Sequence, residues 1–136
     1  MKKGIKILLF FYLISRISFG QHQNIKFEHI TTEYGLANNE VSSIIQDSSG
    51  FMWFGTNKGL NRWDGYSIKY FEKSDTGGQD LSSDTIHCIQ LIDGKLWLGT
   101  ESGVNIFDPV TERFAYIQHN PKNKNSLSNK GVVFLL

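Results

Sequence analysis

Few side chains in this sequence are spaced to do acid–base, nucleophilic or metal chemistry. The acidic residues do not follow the spacing of an EF-hand loop, and no Ser–His–Asp or Cys–His nucleophile has a local signature. No close pair of the kind that a zinc site uses is found among the histidines, which are His22, His29, His87 and His119. The sequence therefore predicts no catalytic residue, no metal site and no cofactor, and we expect no enzyme activity in this chain.

One aromatic and polar cluster could contact a ligand. It contains Arg62, Trp63 and Tyr66, beside a turn at Asp64 and Gly65. Sugar rings stack on aromatic side chains, and a few polar groups at the rim fix their orientation. These three residues are therefore the candidate ligand-binding site, with an oligosaccharide as the ligand. The alternative is a solvated arginine beside packed aromatic side chains, which is the commoner arrangement at a turn.

The charge balance argues against a polyanionic partner. The chain has 14 basic and 13 acidic residues. Four basic residues and no acidic residue lie in the first 20 positions, which leaves ten basic against 13 acidic residues and a net charge of −3. Proteins that bind nucleic acid usually have a basic surplus, so we expect no nucleic acid contact.

The first 20 residues have the three parts of an export signal. A cationic start is followed by an apolar run at 7–14, and Ser18 and Gly20 offer small side chains where a signal peptidase reads. An uncleaved membrane anchor is the alternative, but the run is shorter than the ~20 residues of a membrane span and Arg16 closes it. We expect a signal peptide at 1–20 with cleavage after Gly20.

Cys88 is the single cysteine of the chain, so an exported protein could form no internal disulfide and would be stabilised by packing. It lies between Ile86 and Ile89 in an apolar strand pattern. We interpret Cys88 as a small buried hydrophobic residue rather than a reactive thiol.

The sequence repeats itself with a period of 44 to 46 residues, and a repeat of this length decides the fold. Residues 50–64 align with residues 94–108 without a gap, and seven of the 15 positions are identical. A third copy begins at Leu127. Positions that recur in both copies serve the scaffold, and we assign to it Trp53, Gly55, Thr56, Gly59 and Asp64 of the first copy and Trp97, Gly99, Thr100, Gly103 and Asp108 of the second.

Each copy predicts four short strands separated by turn residues. They are expected at about 41–46, 51–56, 60–63 and 68–72, and again at about 86–91, 95–100, 104–107 and 114–118. Four strands in each 40–50 residues are typical of a β-propeller blade. The predicted fold is all-β, a partial β-propeller with two four-stranded antiparallel blades and the start of a third.

The recurring glycines and tryptophans have a place in such a fold. Gly55 and Gly99 lie inside predicted strands, where glycine normally lowers stability. A close approach of neighbouring backbones would explain why glycine is found there. We expect Trp53 and Trp97 to fill the wedge between adjacent sheets. Thr56 and Thr100 are expected to bond backbone at a strand end, and Asp64 and Asp108 to cap turns.

These residues resemble the two-component regulator propeller repeat. Its pattern, an early Leu followed by Val, Ile, Asp and Gly and then an apolar-Trp-apolar-Gly-Thr strand, is present at 36–60 as LANNEVSSIIQDSSGFMWFGTNKGL. It is present again at 81–104 as LSSDTIHCIQLIDGKLWLGTESGV. One departure is Ile92, which stands where the first copy has Asp47.

The resemblance implies a periplasmic ligand-sensing module of a membrane-bound sensor histidine kinase, including the hybrid two-component systems that often regulate polysaccharide use. It implies as partners the remaining propeller blades, an oligosaccharide ligand and a second copy in a homodimer. The kinase itself would lie outside this chain. An exported propeller enzyme acting on glycans and a secreted scaffold or adhesion propeller are the alternatives.

The resemblance also sets the expected domain boundaries, since propellers need at least four blades. We expect a fragment with an N-terminal strand at 21–34 that closes a missing blade, blade 1 at 35–80, blade 2 at 81–125 and a truncated start of blade 3 at 126–136.

Overall fold

The computed structural model describes residues 26–74 and 80–135. The predicted signal peptide at 1–20 lies outside the described residues, and so do positions 21–25 of the predicted N-terminal strand. In the described ranges the chain forms eight strands and one short 3-10 helix.

The strands form two separate antiparallel sheets, each in sequence order. The first sheet, blade 1, contains β1 (Val41–Gln46), β2 (Met52–Thr56), β3 (Gly59–Trp63) and β4 (Ile68–Phe71). The second sheet, blade 2, contains β5 (Ile86–Ile92), β6 (Lys95–Thr100), β7 (Gly103–Asp108) and β8 (Arg113–Ile117). Each bound falls within one residue of its sequence-based position, and the predicted all-β fold is confirmed.

The two sheets share irregularities as well as strands. In both, the register shifts after the first residue pair of the first hairpin, at Val41/Ser43 and at Ile86/Cys88. Such a bulge increases the local twist of a sheet. The first turns differ, because blade 2 uses a two-residue turn in which Asp93 and Gly94 both have positive φ, 50° and 74°. Two successive positive φ angles match the right-handed twist of the flanking strands.

The segment before blade 1 departs from the sequence-based prediction. Residues 26–31 lie in no strand, and Thr32–Tyr34 forms the 3-10 helix η1, which ends at Gly35 with a φ of 97°. A strand needs a neighbouring strand to pair with, and none of the eight described strands pairs with this segment. The predicted strand at 21–34 is therefore not formed over 26–34, and a role in closing another blade stays a prediction.

Aromatic side chains fill the wedge between the two blades. Trp53 of β2 is fully buried, and its ring lies 5.4 Å from that of Phe107 in blade 2 and 6.1 Å from that of Phe71 in its own blade. Phe107 lies 4.6 Å from Phe114 and 4.8 Å from Phe71. Trp53 thus occupies the wedge, as expected, whereas Trp97 is half-buried on the far face of blade 2.

Crowding against the next repeat explains the two strand glycines. A Cβ atom on Gly55 would lie 2.7 Å from the Cγ2 atom of Ile86, so the close neighbour is a side chain of blade 2 rather than its backbone. A Cβ atom on Gly99 would lie 2.6 Å from Cys88 Sγ and 2.7 Å from the carbonyl oxygen of Val132. The expected close approach of backbone is present at Gly99, whereas at Gly55 a side chain takes its place.

The segment after blade 2 follows the same geometry without forming a strand. Residues 126–135 carry no strand, but the Val132 amide donates to the Thr100 carbonyl at 2.9 Å. Val132 therefore covers Gly99 much as Ile86 covers Gly55. This is the place where the third copy would begin, and the start of blade 3 at 126–136 stays a prediction.

The packing at Gly55 leads to the first testable prediction. We expect Gly55→Ala to lower the free energy of unfolding by about 1–3 kcal/mol, because the added methyl group overlaps Ile86. The measurement is urea denaturation followed by tryptophan fluorescence. In an Ile86→Ala background the same change is expected to cost much less, and an equal cost in both backgrounds would contradict the proposed clash.

Candidate functional site

The predicted ligand cluster is divided between the two faces of blade 1. Arg62 and Trp63 are consecutive in β3, and consecutive side chains of a strand point to opposite faces. The Arg62 guanidinium lies 4.7 Å from the centre of the Phe51 ring and 5.8 Å from that of Trp53. Its Nη1 atom also lies 3.6 Å from a carboxylate oxygen of Glu112. Arg62 therefore belongs to the face that packs against blade 2.

Trp63 and Tyr66 do lie together, on the other face. They line a cleft of about 590 Å³ that is bounded by β3, β4 and the segment before η1. Trp63 is half-buried, whereas Tyr66 in the β3–β4 turn is 98% exposed. The remaining residues along this cleft are Lys26, Phe27, Glu28, His29, Ile30, Tyr34, Gly65 and Ile68. The structure thus brings two of the three candidate residues to one place and separates Arg62 from them.

Glu112 links the two blades by its charge. Its carboxylate lies 2.6 Å from Lys69 Nζ and 3.6 Å from Arg62 Nη1, and both cations belong to blade 1. Exposed pairs of this kind contribute about 0–1 kcal/mol. The main effect of the Arg62–Glu112 pair is on the accessibility of Arg62. Its guanidinium is already in contact with a carboxylate and two aromatic rings, so it is not free to bind a ligand.

Asp64 and Asp108 are used by their own turns. The Asp64 carboxylate accepts hydrogen bonds from the Ser67 amide at 2.7 Å and the Tyr66 amide at 2.8 Å, which hold its pKa below the usual range. The Asp108 carboxylate accepts from the Val110 amide at 2.9 Å and the Thr111 amide at 3.3 Å, with the same effect on its pKa. Both residues therefore lie where turn capping places them.

The second turn of each blade is closed by a buried threonine and an asparagine. Thr56 Oγ1 donates to the Gly59 carbonyl and accepts from the Lys58 amide. Asn61 Oδ1 accepts from the Ala37 amide at 2.9 Å, so it joins β3 to the loop that enters the blade. Blade 2 repeats this network at the equivalent positions, with Thr100, Gly103, Ser102, Asn105 and Ser82.

All four network residues, Thr56, Asn61, Thr100 and Asn105, are fully buried. Sequence reasoning expected the threonine bonds but gave the asparagines no role. The available signal was an Asn retained at the same interior strand position of both copies. A buried amide is costly unless its hydrogen bonds are satisfied, so such a position indicates a specific partner.

Asp47 is a further residue whose role the sequence did not reveal. Its Oδ2 atom accepts from Trp53 Nε1 at 2.7 Å, and its Oδ1 atom accepts from the amides of Ser49 and Phe51. The carboxylate thus fixes both the first turn and the indole that fills the wedge. Ile92 replaces it in blade 2, so the orientation of Trp97 does not depend on an equivalent carboxylate.

Cys88 is only partly buried, which corrects its interpretation as a buried hydrophobic residue. Partial desolvation raises the pKa of its thiol, and backbone amides of Gly99 and Leu135 oppose this to a smaller extent. The thiol is therefore not activated toward nucleophilic chemistry.

No group of three or more His, Cys, Asp and Glu side chains within 26–74 and 80–135 could hold a metal ion. In the same ranges no helix has the length and apolarity required to cross a membrane.

Two repeated four-stranded sheets joined by an aromatic wedge define a protein of the β-propeller class. Residues 35–58 match the model of the two-component regulator propeller family. This segment carries the family's repeat, and the predicted resemblance is confirmed.

Three individual proteins are similar to this chain and support the resemblance to two-component regulators. The chain is similar to the extracellular domain of a hybrid two-component system, BT3049 of B. thetaiotaomicron, with 30% identity and a TM-score of 0.70 over 76% of the chain. The extracellular domain of BT4673 from the same organism gives 26% identity and a TM-score of 0.55 over 67% of the chain. The curated relative "Histidine kinase P4" of Formosa agariphila is 32% identical over 76 residues, or 56% of the chain.

The chain is much shorter than these relatives. It spans 15% of the BT3049 domain, 13% of the BT4673 domain and 6% of the histidine kinase. It therefore corresponds to a small part of each of them.

The buried asparagines provide a prediction for the scaffold. We expect Asn61→Ala to destabilise the chain by about 1–3 kcal/mol, because the half-buried Ala37 amide and the buried Thr56 hydroxyl lose a partner. Asn57→Ala is the matched control, since Asn57 is exposed in the β2–β3 turn and its replacement should change stability by less than about 0.5 kcal/mol. Denaturant midpoints of the two variants would be compared, and equal midpoints would contradict the role of the network.

Proposed function

We propose that this chain is part of the periplasmic ligand-sensing propeller of a membrane-bound two-component regulator. The observation that carries the proposal is the similarity to the BT3049 extracellular domain, which extends over 76% of the chain. The proposal includes export through the signal peptide at 1–20 and signalling to a histidine kinase outside this chain. The similarity to a histidine kinase over 76 residues supports the second part.

The packing between blades suggests how a ligand could act. Trp53, Phe71, Phe107 and Phe114 are in ring-to-ring contact across the wedge, so one blade cannot tilt without moving its neighbour. A close-packed interior transmits strain rather than absorbing it. A ligand that binds one arrangement of blades more tightly would shift the population of a sensor dimer towards that arrangement, and the kinase would respond to the shift.

We further propose that the ligand is derived from a glycan and that Tyr66 contacts it. Tyr66 is 98% exposed at the end of blade 1 and lies beside the half-buried Trp63. An exposed aromatic ring with a hydroxyl group can stack on a sugar and also form a hydrogen bond. We do not include Arg62 in the proposed site, because it faces blade 2 and pairs with Glu112.

The different positions of Tyr66 and Arg62 give a direct test. The complete extracellular region would be titrated with a panel of neutral and acidic oligosaccharides, and affinities would be measured by calorimetry. We expect Tyr66→Ala to weaken binding about tenfold or more, which corresponds to ~1.4 kcal/mol. Arg62→Ala should leave the affinity within about twofold while weakening the contact between blades. Loss of binding with Arg62→Ala alone would contradict this assignment.

The signalling part of the proposal is tested by the gene. Reading in frame beyond the codon for Leu136 should reveal further propeller repeats, then a membrane-spanning helix and the motifs of a histidine kinase. A closed propeller followed by a stop codon, with no membrane helix and no kinase motif, would contradict the proposal.

A further inference from the structure

Glu112 is the residue by which the turn between β7 and β8 reaches blade 1. This turn is longer than its counterpart in blade 1, because the last apolar pair of the hairpin encloses six residues at 108–113 but only four at 64–67. With the added length, the Glu112 carboxylate lies 2.6 Å from Lys69 Nζ. A difference in length between two copies of one repeat indicates a feature that the shared scaffold does not require.

The two cations that meet Glu112 are also specific to the first copy. Arg62 and Lys69 form a pair across β3 and β4, and the equivalent pair across β7 and β8 is Ile106 and Ala115. The second cation contact of the carboxylate is the one to Arg62 Nη1, at 3.6 Å. Three charged residues without a charged equivalent in the other copy therefore meet at one place, at the boundary between the blades.

The backbone of Glu112 has a conformation that residues other than glycine rarely adopt. Its φ is 53°, in the left-handed region, and its amide donates to the Asp108 carbonyl at 2.8 Å. Backbone of this kind persists where the surrounding structure offsets its cost, and it is concentrated at functional and switch regions. In this conformation the carboxylate contacts both cations of blade 1, and these contacts offset part of the cost.

The contact with Glu112 lies close in the chain to the proposed ligand residue. Lys69 follows Tyr66 by three positions. The Asp64 carboxylate orders the turn between them, because it accepts from the Tyr66 and Ser67 amides and from the Ser67 hydroxyl at 2.9 Å. The strand β4 that begins after this turn has four residues and pairs with β3 alone among the eight described strands. A restraint on Lys69 therefore acts on a short outer strand and on the turn that carries Tyr66.

We propose that residues 109–112 are a strap that closes on blade 1 through Glu112 and couples the turn that carries Tyr66 to blade 2. In the closed state Glu112 holds Lys69 and Arg62, and in the open state it leaves them while the aromatic wedge keeps the blades together. A ligand at Tyr66 that binds one state more tightly shifts the strap towards that state. This role in sensing rests on the proposed ligand contact, whereas the coupling between the two turns exists without a ligand.

Amide hydrogen exchange of the full chain, followed residue by residue with NMR, measures the opening of both turns in the absence of a ligand. We expect Glu112→Gln to accelerate exchange about two- to fivefold at two amides of each turn. These are the amides of Tyr66 and Ser67 in blade 1 and of Val110 and Thr111 in blade 2, all bound to an aspartate of their own turn. The factor corresponds to ~0.4–1 kcal/mol, which is the range of an exposed ion pair.

A matched control and two measurements of charge separate an ionic strap from a structural role of the side chain. Glu101→Gln is the control, because Glu101 is exposed in the β6–β7 turn at the opposite end of blade 2 and should leave the four amides unchanged. In 1 M NaCl, screening should bring the unmodified chain close to the exchange rates of Glu112→Gln. Lys69→Glu and Glu112→Lys should each accelerate exchange, and the two changes together should restore most of the protection.

Three outcomes would overturn the proposal. The first is exchange at Tyr66 and Ser67 that Glu112→Gln leaves unchanged, since the strap would then not reach their turn. The second is an equal acceleration by Glu101→Gln, and the third is an effect of Glu112→Gln that 1 M NaCl does not reduce. A failure of the ligand contact would look different, because Tyr66→Ala would then leave oligosaccharide affinity unchanged. That result would remove the role in sensing together with the proposed ligand site and would leave the coupling between the turns.

Discussion

The structure depends on one constraint, which is that a four-stranded blade has two apolar faces and can bury neither by itself. Blade 1 and blade 2 bury one face of each sheet against the other, with Trp53 packed against Phe107 and Phe71. Each aromatic pair of this kind adds about 0.5–1.5 kcal/mol beyond the area it buries. The strand glycines follow from the same constraint, since Gly55 leaves room for Ile86 to approach the sheet. Trp53 and Gly55, which lie at this contact, recur as Trp97 and Gly99 in the second copy.

Polar groups inside the blade serve the same packing. Asp47 holds the indole of Trp53 through Nε1 and orders the first turn with its other oxygen. Asn61 and Asn105 attach the entering loop to the third strand, which positions the buried Leu36 and Leu81 against the sheet. A satisfied buried network stabilises one arrangement over others, whereas an unsatisfied one is costly. These residues fix the first turn, the Trp53 indole and the entering loop within each blade, and the hydrophobic pattern alone does not.

The strands could be predicted to within one residue because two aligned copies report the same turns twice. The candidate site could be predicted only in part, because residues that are close in sequence need not lie on the same face of a sheet. Arg62 and Trp63 are neighbours in β3, and the alternation of a strand already requires that they face opposite sides. The segment 26–34 was harder to predict, because its pattern is strand-like but none of the eight described strands pairs with it.

The position of the candidate residues limits what a sensor of this class could detect through these two blades. Side chains on sheet faces are engaged by neighbouring blades wherever a neighbour is present, as Phe107 and Ile89 show. Only turns and strand ends remain free in an assembled ring, and Tyr66 is the large aromatic residue that blade 1 places there. Blade 2 has Val110 at the corresponding turn, which is equally exposed but offers neither a ring nor a hydroxyl group. Ligand specificity in a repeat protein is therefore expected where the copies differ at turns, and the identical residues of the repeat are expected to build each blade and its contacts.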